Sequence, residues 1–356
     1  MADNQKIETI LVYVDSSPDD AIGENILKLP FLRAIRRAFP TAHLSWIPGY
    51  GPSHFEGRLA PLVHGMIDEV ITDLYIDNKP AELLRSWSPL GNRRFDLVFD
   101  TQRNIIRTLV LRRIKHGAFI SGCWRYVFSD RKPFHKNPRP TLLTDKLLEL
   151  VEAATGNAVR PPHVWPLSEP WREAARTLLP DGPAYVGFAP GAGTRESGKC
   201  WPLRNYVALA REQEERGRTP VFFIGPDESE WMAEIRQQLP DALFPEWETG
   251  SIPDNLAGPP LAMALAGRLT AAVANCSGIG HILAAGGAPL ISLFGPTRPS
   301  KFAAYTPDLT ILRAQTFDSG GAIDAIPLAA VSDALEHALS LHLNGGVRAK
   351  QSAAGR

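Results

Sequence analysis

The chain reads as an α/β protein built from two Rossmann-like parallel-sheet domains, and three observations predict this. Apolar strands alternate with amphipathic helices along nearly the whole length, the pattern of a parallel sheet covered on both faces. A proline-rich stretch, Arg160-Pro-Pro-His-Val-Trp-Pro166, divides the alternation into two series and reads as a linker. Glycine-punctuated turns follow several of the strands, and 356 residues are too many for one core.

In order, Thr9–Val14 reads as a strand, Glu24–Ala38 as a helix and His43–Ile47 as a strand. Val70–Thr72 and Leu97–Phe99 continue the sheet, with helices after each. Thr141–Thr155 is a helix, because Leu143, Leu147, Leu150 and Val151 recur at helical spacing. A second series of elements starts at Tyr185 and runs through Val221–Ile224, Leu261–Ala266, Ala271–Ala274 and Leu290–Phe294, with helices over Ile279–Ala285 and Pro327–Leu343. The expected division is an N-terminal domain over 1–165, a C-terminal domain over 166–345 and a disordered tail over 346–356.

Composition narrows the class. The apolar fraction, 44%, is that of a globular protein, and no uninterrupted apolar run is long enough to span a bilayer. The N-terminus is polar up to Thr9 and lacks the basic region and cleavage site of a signal peptide. Three cysteines, Cys123, Cys200 and Cys276, form no zinc spacing and suit a reducing compartment, so a cytoplasmic address is expected.

The turn after Tyr185–Ala189 carries the first chemistry. Pro190-Gly-Ala-Gly193 lets backbone N–H groups approach an anion, Lys199 follows, and the N-terminus of the next helix adds partial positive charge. Gly193 to Lys199 also fits the start of a P-loop, but Cys200 stands where Ser or Thr would hold magnesium, and a thiol is a poor ligand for a hard cation. The plain alternative is an ordinary strand-to-helix turn. A second turn of the same form, Asn275-Cys-Ser-Gly278 with His281, follows the strand Ala271–Ala274, and a third, Gly295-Pro-Thr297, follows Leu290–Phe294. Three such turns at strand carboxyl ends would line one crevice.

A fourth feature is charge. Between Thr101 and Pro140 ten basic residues face one acid, Asp130. Arg103, Arg107 and Lys115 recur at roughly helical spacing, as a cationic stripe or as a solvated helix face. No RNA-binding signature or zinc finger accompanies them, so nucleic acid is not an expected partner; an anionic lipid-linked saccharide or the inner-membrane surface is.

Pro190-Gly191-Ala192 with Lys199, Trp201-Pro202 and Tyr206, then Asn275-Cys276-Ser277-Gly278 with His281, then Leu293-Phe294-Gly295-Pro296-Thr297, resemble the signature blocks of glycosyltransferase family 9, the family of the ADP-heptose:lipopolysaccharide heptosyltransferases. Ile22-Gly23-Glu24 resembles the family's N-terminal Leu-Gly-Asp block, and Phe95–Asp100 its second N-terminal strand motif. The resemblance implies a GT-B fold, two Rossmann-like domains facing each other across a cleft, with the nucleotide sugar on the C-terminal half and the acceptor on the N-terminal half. It implies an inverting, metal-independent glycosyltransferase without a cofactor, moving a sugar, heptose from ADP-heptose first among the options, onto a lipopolysaccharide core or related saccharide. A catalytically silent nucleotide-sugar-binding protein and a GT-B epimerase or hydrolase are the alternatives.

On this resemblance Glu24 is the candidate catalytic base, with Asp19 and Asp20 as fallbacks; otherwise Glu24 complements a helix dipole. Lys199, the turn residues Ala192, Gly193, Ser277 and Gly278, Thr297 and His281 are candidates for the donor diphosphate, Lys199 being otherwise a solvated lysine. Glu228 matches the acidic ribose-binding position, or caps a helix; Leu256 and Ala257 fall where the family packs the base, or pack in the core. Arg103 and Arg107 are candidate acceptor contacts. The sequence departs from the family at Cys276, where Asp is usual, so a charged contact is missing.

Overall fold

A computed structural model describes residues 6–16, 22–49, 51–72, 74–84, 88–134, 139–193 and 198–354, with side chains described up to residue 342 except that of Ser16. The fallback bases Asp19 and Asp20 and the P-loop segment 194–197 lie outside the described residues. The chain divides into two compact units, Met1–Pro162 and His163–Arg356, with the boundary inside the proline-rich linker.

The first unit holds a parallel sheet of β1 (Thr9–Ser16), β2 (His43–Gly49), β3 (Glu69–Val70), β4 (Arg94–Asp100) and β5 (Lys115–Ser121), ordered β3-β2-β1-β4-β5. Ile10 through Val14 are all buried, as a strand covered on both faces requires. The helix expected over 24–38 is two helices, Ile22–Ile26 and Leu29–Ala38. Pro30 explains the break, since it offers no N–H and its ring clashes with the carbonyl four residues back. Within the break, the Leu27 carbonyl accepts from Thr144 Oγ1 of the helix Leu143–Thr155, at 3.0 Å. That helix ends on Gly156, which takes the left-handed φ of 75° that a C-terminal cap favours.

The cationic segment is not one helix face. Arg103 precedes the helix Ile105–Leu111, Arg107 lies within it, and Lys115 opens β5, so no stripe joins the three. Strand β5 escaped the sequence reading because its first half, Lys-His-Gly, carries charge and exposure where a buried strand would be apolar.

The second unit holds β6 (Tyr185–Ala189), β7 (Thr219–Phe222), β8 (Leu269–Asn275), β9 (Leu290–Phe294) and β10 (Leu309–Arg313), all parallel, in the order β10-β9-β8-β6-β7. Leu261–Ala266 of the second series lies in the helix Pro259–Ala266. A core of Phe188, Trp201, Tyr206, Phe222, Ile291 and Leu293 is closed by Val331, Leu335 and Leu339. Those three belong to the final helix, Leu328–Ala354, which packs on β8, β9 and the helix Leu203–Glu215. It runs on through most of the expected tail, where Ala349, Lys350, Gln351, Ala353 and Ala354 are all good helix formers.

Candidate functional site

In each sheet the strand order reverses once, and open α/β sheets bind ligands outside the carboxyl ends of the strands at that point. The reversal lies between β1 and β4 in the first unit and between β6 and β8 in the second.

In the second unit the turns after β6, β8 and β9 come together. Asn275, fully buried at the end of β8, donates from Nδ2 to the Pro190 carbonyl at 2.7 Å and accepts at Oδ1 from the Trp201 amide at 3.1 Å. Trp201 is held from its other end by a 2.9 Å bond from Nε1 to the Ile326 carbonyl. A Cβ on Gly295 would stand 3.1 Å from the Gly198 carbonyl, so the third turn presses against the segment that carries Lys199. Residues 198–202 are extended or bent, and the helix starts only at Leu203. This overturns the P-loop reading, in which the helix would begin at the lysine: the anchors on Trp201, followed by Pro202, hold the chain out of helical geometry.

Among the described residues, Ser277 Oγ, His281 Nδ1 and Thr297 Oγ1 are buried on adjacent turns of this edge without a hydrogen bond. Ser277 is the N-cap of the helix Gly278–Ala285, yet its side chain caps nothing. Burial lowers the His281 pKa to about 4, so the imidazole is neutral near pH 7. Unsatisfied buried groups are costly, and three on adjacent turns mark a surface made for polar contacts the fold itself does not supply. Burial pushes the Cys276 thiol up, against the neighbouring Thr297 hydroxyl and the Lys199 charge, so Cys276 stands uncharged where the family's usual residue is acidic.

Ala192 is buried and Gly193 is exposed with a φ of 77°, left-handed backbone that favours glycine. Glu228 is buried beneath the first turn: a Cβ on Gly191 would stand 2.8 Å from its Oε1, and one on Gly225 2.6 Å from its Oε2. Leu256 is buried and Ala257 exposed, just before the helix Pro259–Ala266.

In the first unit Glu24 sits in the first turn of the helix Ile22–Ile26, on the connection leaving β1, partly exposed. Asp100 closes β4 with its carboxylate buried: Oδ2 accepts from Thr108 Oγ1 at 2.6 Å and Ser121 Oγ at 2.7 Å, and Oδ1 from the Gln102 amide at 2.9 Å. Burial nevertheless raises its pKa to about 6. Arg107 is not available as a surface cation. It is ion-paired with Asp15, donates from Nε to the Ile76 carbonyl at 2.9 Å and lies over the Tyr75 ring. Arg112, Arg113, Lys115 and Arg131 are likewise turned to Asp130, Leu83, Asn92 and Ala154. Arg103 differs: it is exposed and has no hydrogen bond or ion pair among the described residues.

The sequence motif by itself gives Asn275 no role, although an Asn closing an apolar strand is a signal for a buried amide clamp. A second feature left no sequence signal. Trp124, Arg125 and Tyr126, after β5, have φ of 45°, 59° and 60°. Left-handed backbone costs a non-glycine residue about 1–2 kcal/mol, so the surrounding contacts, not local preference, impose this turn.

Known proteins share this pattern. The model of glycosyltransferase family 9 (heptosyltransferase) matches residues 83–320. Lipopolysaccharide heptosyltransferase 2 of Salmonella typhimurium strain LT2 is 33% identical over 312 residues, 81% of this chain and 83% of that protein. Lipooligosaccharide heptosyltransferase 2 of Haemophilus influenzae is 37% identical over 141 residues, which span 39% of this chain and only 37% of that relative's length. Among solved structures, E. coli ADP-heptose lps heptosyltransferase II superimposes with a TM-score of 0.60 at 21% identity, covering 94% of this chain and 99% of its own. The two parallel-sheet units are therefore the Rossmann-like pair of the GT-B fold.

Proposed function

Because the chain belongs to glycosyltransferase family 9, we propose that it is an inverting, metal-independent enzyme moving heptose from ADP-heptose onto a saccharide of the lipopolysaccharide core. Membership makes it a glycosyltransferase that uses a nucleotide sugar. The observation that carries the finer reading is the set of three unsatisfied polar atoms on the turns around Lys199. Displacing a nucleoside diphosphate from an anomeric carbon builds negative charge on the leaving phosphate and positive charge on the sugar. Ser277 Oγ and Thr297 Oγ1 can donate to that phosphate, as can amides of the Ala192–Gly193 and Ser277–Gly278 turns. Lys199 supplies a full positive charge, and neutral His281 a further donor if its Nδ1 carries the proton.

Glu228, Leu256 and Ala257 are assigned to the nucleoside. In the first unit Glu24 is assigned as the base that takes the acceptor hydroxyl's proton, and Arg103 as an acceptor contact. Arg107 leaves that assignment because Asp15 already neutralises it. Work at the cytoplasmic face, in peripheral contact with the inner membrane, completes the reading.

The test is a thermal-shift screen with ADP, UDP, GDP and their sugars, followed by turnover with and without a lipopolysaccharide acceptor and with EDTA. Preferential stabilisation by ADP, acceptor-dependent ADP release that survives EDTA, and inverted anomeric configuration in the product are expected; ligand at 100 times its Kd adds about 2.7 kcal/mol. Release of ADP without acceptor would replace this reading with a hydrolase. Cys276 favours one rival specifically, because an uncharged thiol replaces the family's acid: tight ADP-sugar binding without any transfer would mark a silent binding protein, and recovery of transfer by Cys276→Asp would locate the loss.

A further inference from the structure

We infer that the turn after β5 is a saccharide-binding subsite of the first unit, in which the Trp124 indole stacks on a sugar ring and Arg125 and Arg103 take an anionic substituent on it. The inference deepens the acceptor side of the proposed function and rests on that reading for its identification of the ligand as an acceptor.

Trp124 is 66% exposed, an unusual position for the largest side chain in a folded unit. One face of its ring lies parallel to Phe128, with centroids 6.3 Å apart and planes within 15°, which fixes the orientation of the indole while leaving much of its surface open. Arg125 is exposed beside it. The Arg103 guanidinium comes to the same turn, its Nε and Nη2 each 3.9 Å from where a Cβ on Gly122 would stand, an ordinary contact distance.

The turn is held firmly on both sides. Before it, the Cys123 amide donates to Ser121 Oγ at 3.2 Å, and Ser121 Oγ donates to buried Asp100. After it, the Tyr126 hydroxyl donates to Glu149 Oε2 at 2.9 Å, and Arg139 lies over the Tyr126 ring at 5.7 Å. Three consecutive non-glycine residues in left-handed backbone are what such clamping enforces, and the result turns Tyr126 inward while Trp124 and Arg125 face out. Position agrees: Arg103 follows β4 and the turn follows β5, at the carboxyl edge where α/β sheets bind ligands.

The chemistry selects the ligand class. A flat indole offers an apolar surface to the C–H face of a pyranose without demanding a hydrogen bond. Two guanidiniums offer planar forks matched to phosphate or carboxylate oxygens. A phosphorylated or carboxylated oligosaccharide meets both; a neutral glycan meets only the first.

The experiment is calorimetric titration of the full chain with deacylated, phosphorylated lipopolysaccharide core oligosaccharide, with the enzymatically dephosphorylated oligosaccharide, and with phosphatidylglycerol vesicles. Trp124→Ala is expected to weaken oligosaccharide binding by about tenfold or more, and Trp124→Phe to recover most of it. Arg103→Ala and Arg125→Ala are expected to weaken the phosphorylated ligand several-fold and leave the dephosphorylated one unchanged. All four variants should melt like wild type and keep its ADP affinity. Unaltered oligosaccharide binding by Trp124→Ala, or no oligosaccharide binding by wild type, overturns the inference, as does Trp124-dependent binding to vesicles alone. Because ADP binding is measured separately, its absence alongside Trp124-dependent saccharide binding would count against the proposed transferase and leave the subsite standing.

Discussion

Asn275 donates its side-chain amide to the carbonyl of Pro190 at 2.7 Å, so the ends of β8 and β6 are tied together across the point where the strand order reverses. The same side chain accepts from the Trp201 amide and so holds the segment leading from Lys199 as well. Asn275→Ala leaves both buried partners unsatisfied, at about 1–3 kcal/mol for each. Urea unfolding should show a loss of that order, and ADP should bind more weakly because the turns are no longer held in register. Wild-type stability together with wild-type ADP affinity would show that the clamp is idle.

A side chain at Gly191 would meet the buried Glu228 carboxylate, with Oε1 2.8 Å from the Cβ position, and would require that carboxylate to shift. Gly191→Ala should therefore lower the melting temperature, and the loss should shrink in the double variant with Glu228→Ala. Residues in contact typically couple by about 0.5–3 kcal/mol. Strictly additive melting shifts in the double-mutant cycle would remove Glu228 from beneath the turn.

The proposed roles of Glu24 and Lys199 separate kinetically. A base acts only in the transition state, so Glu24→Gln should reduce kcat by about 10²–10⁴ while ADP affinity stays within a few-fold. Lys199→Ala should instead weaken ADP binding by about 10–100-fold, the value of a charge-assisted hydrogen bond. Titration of ADP against both variants, with initial rates on the same preparations, tells the two patterns apart; a Glu24→Gln enzyme of near-normal rate would reject the assignment of the base.

Asp100 makes a prediction about pH. Its folded pKa is raised from 3.8 to about 6 by burial, so the native protein holds this proton more tightly than the unfolded chain. Its contribution is complete below the unfolded pKa and is lost as pH rises through about 6, a change of about 3 kcal/mol. Other carboxylates act in the opposite sense, Glu336 among them, because Arg218, Gln213 and Arg216 hold it down at about 2 against burial. The signal is therefore the difference between wild type and Asp100→Asn. Relative to wild type, the variant should gain stability between pH 4 and pH 7 in chemical denaturation, and a difference that stays flat across that range would contradict the raised pKa.

Much of the fold was visible in the chain itself. Continuous apolar runs such as Ile10–Val14 and Tyr185–Ala189, short and rich in β-branched and aromatic residues, read as strands buried on both faces, and the break at Arg160–Pro166 holds the observed boundary between units. The turns around Pro190, Ser277 and Thr297 were equally legible, because small residues in consecutive positions mark where β6, β8 and β9 end. Strand β5 and the helix break at Pro30 were not. A strand with a charged, exposed first half leaves a weak period, and an interior proline can end, kink or merely start a helix.

Residue order thus decided the class of architecture, the place of each turn and the family, since all three depend on local pattern read along the chain. Which side chains are free to act was settled only by folding. Arg107 and Arg103 look alike in sequence, yet one is cancelled by Asp15 from ninety-two positions away and the other is left exposed. Trp124 likewise faces outward only because distant partners hold three residues in a backbone they would not adopt alone. Charge pairing and strain of this kind depend on contacts between remote segments, and those exist only once the sheets have formed.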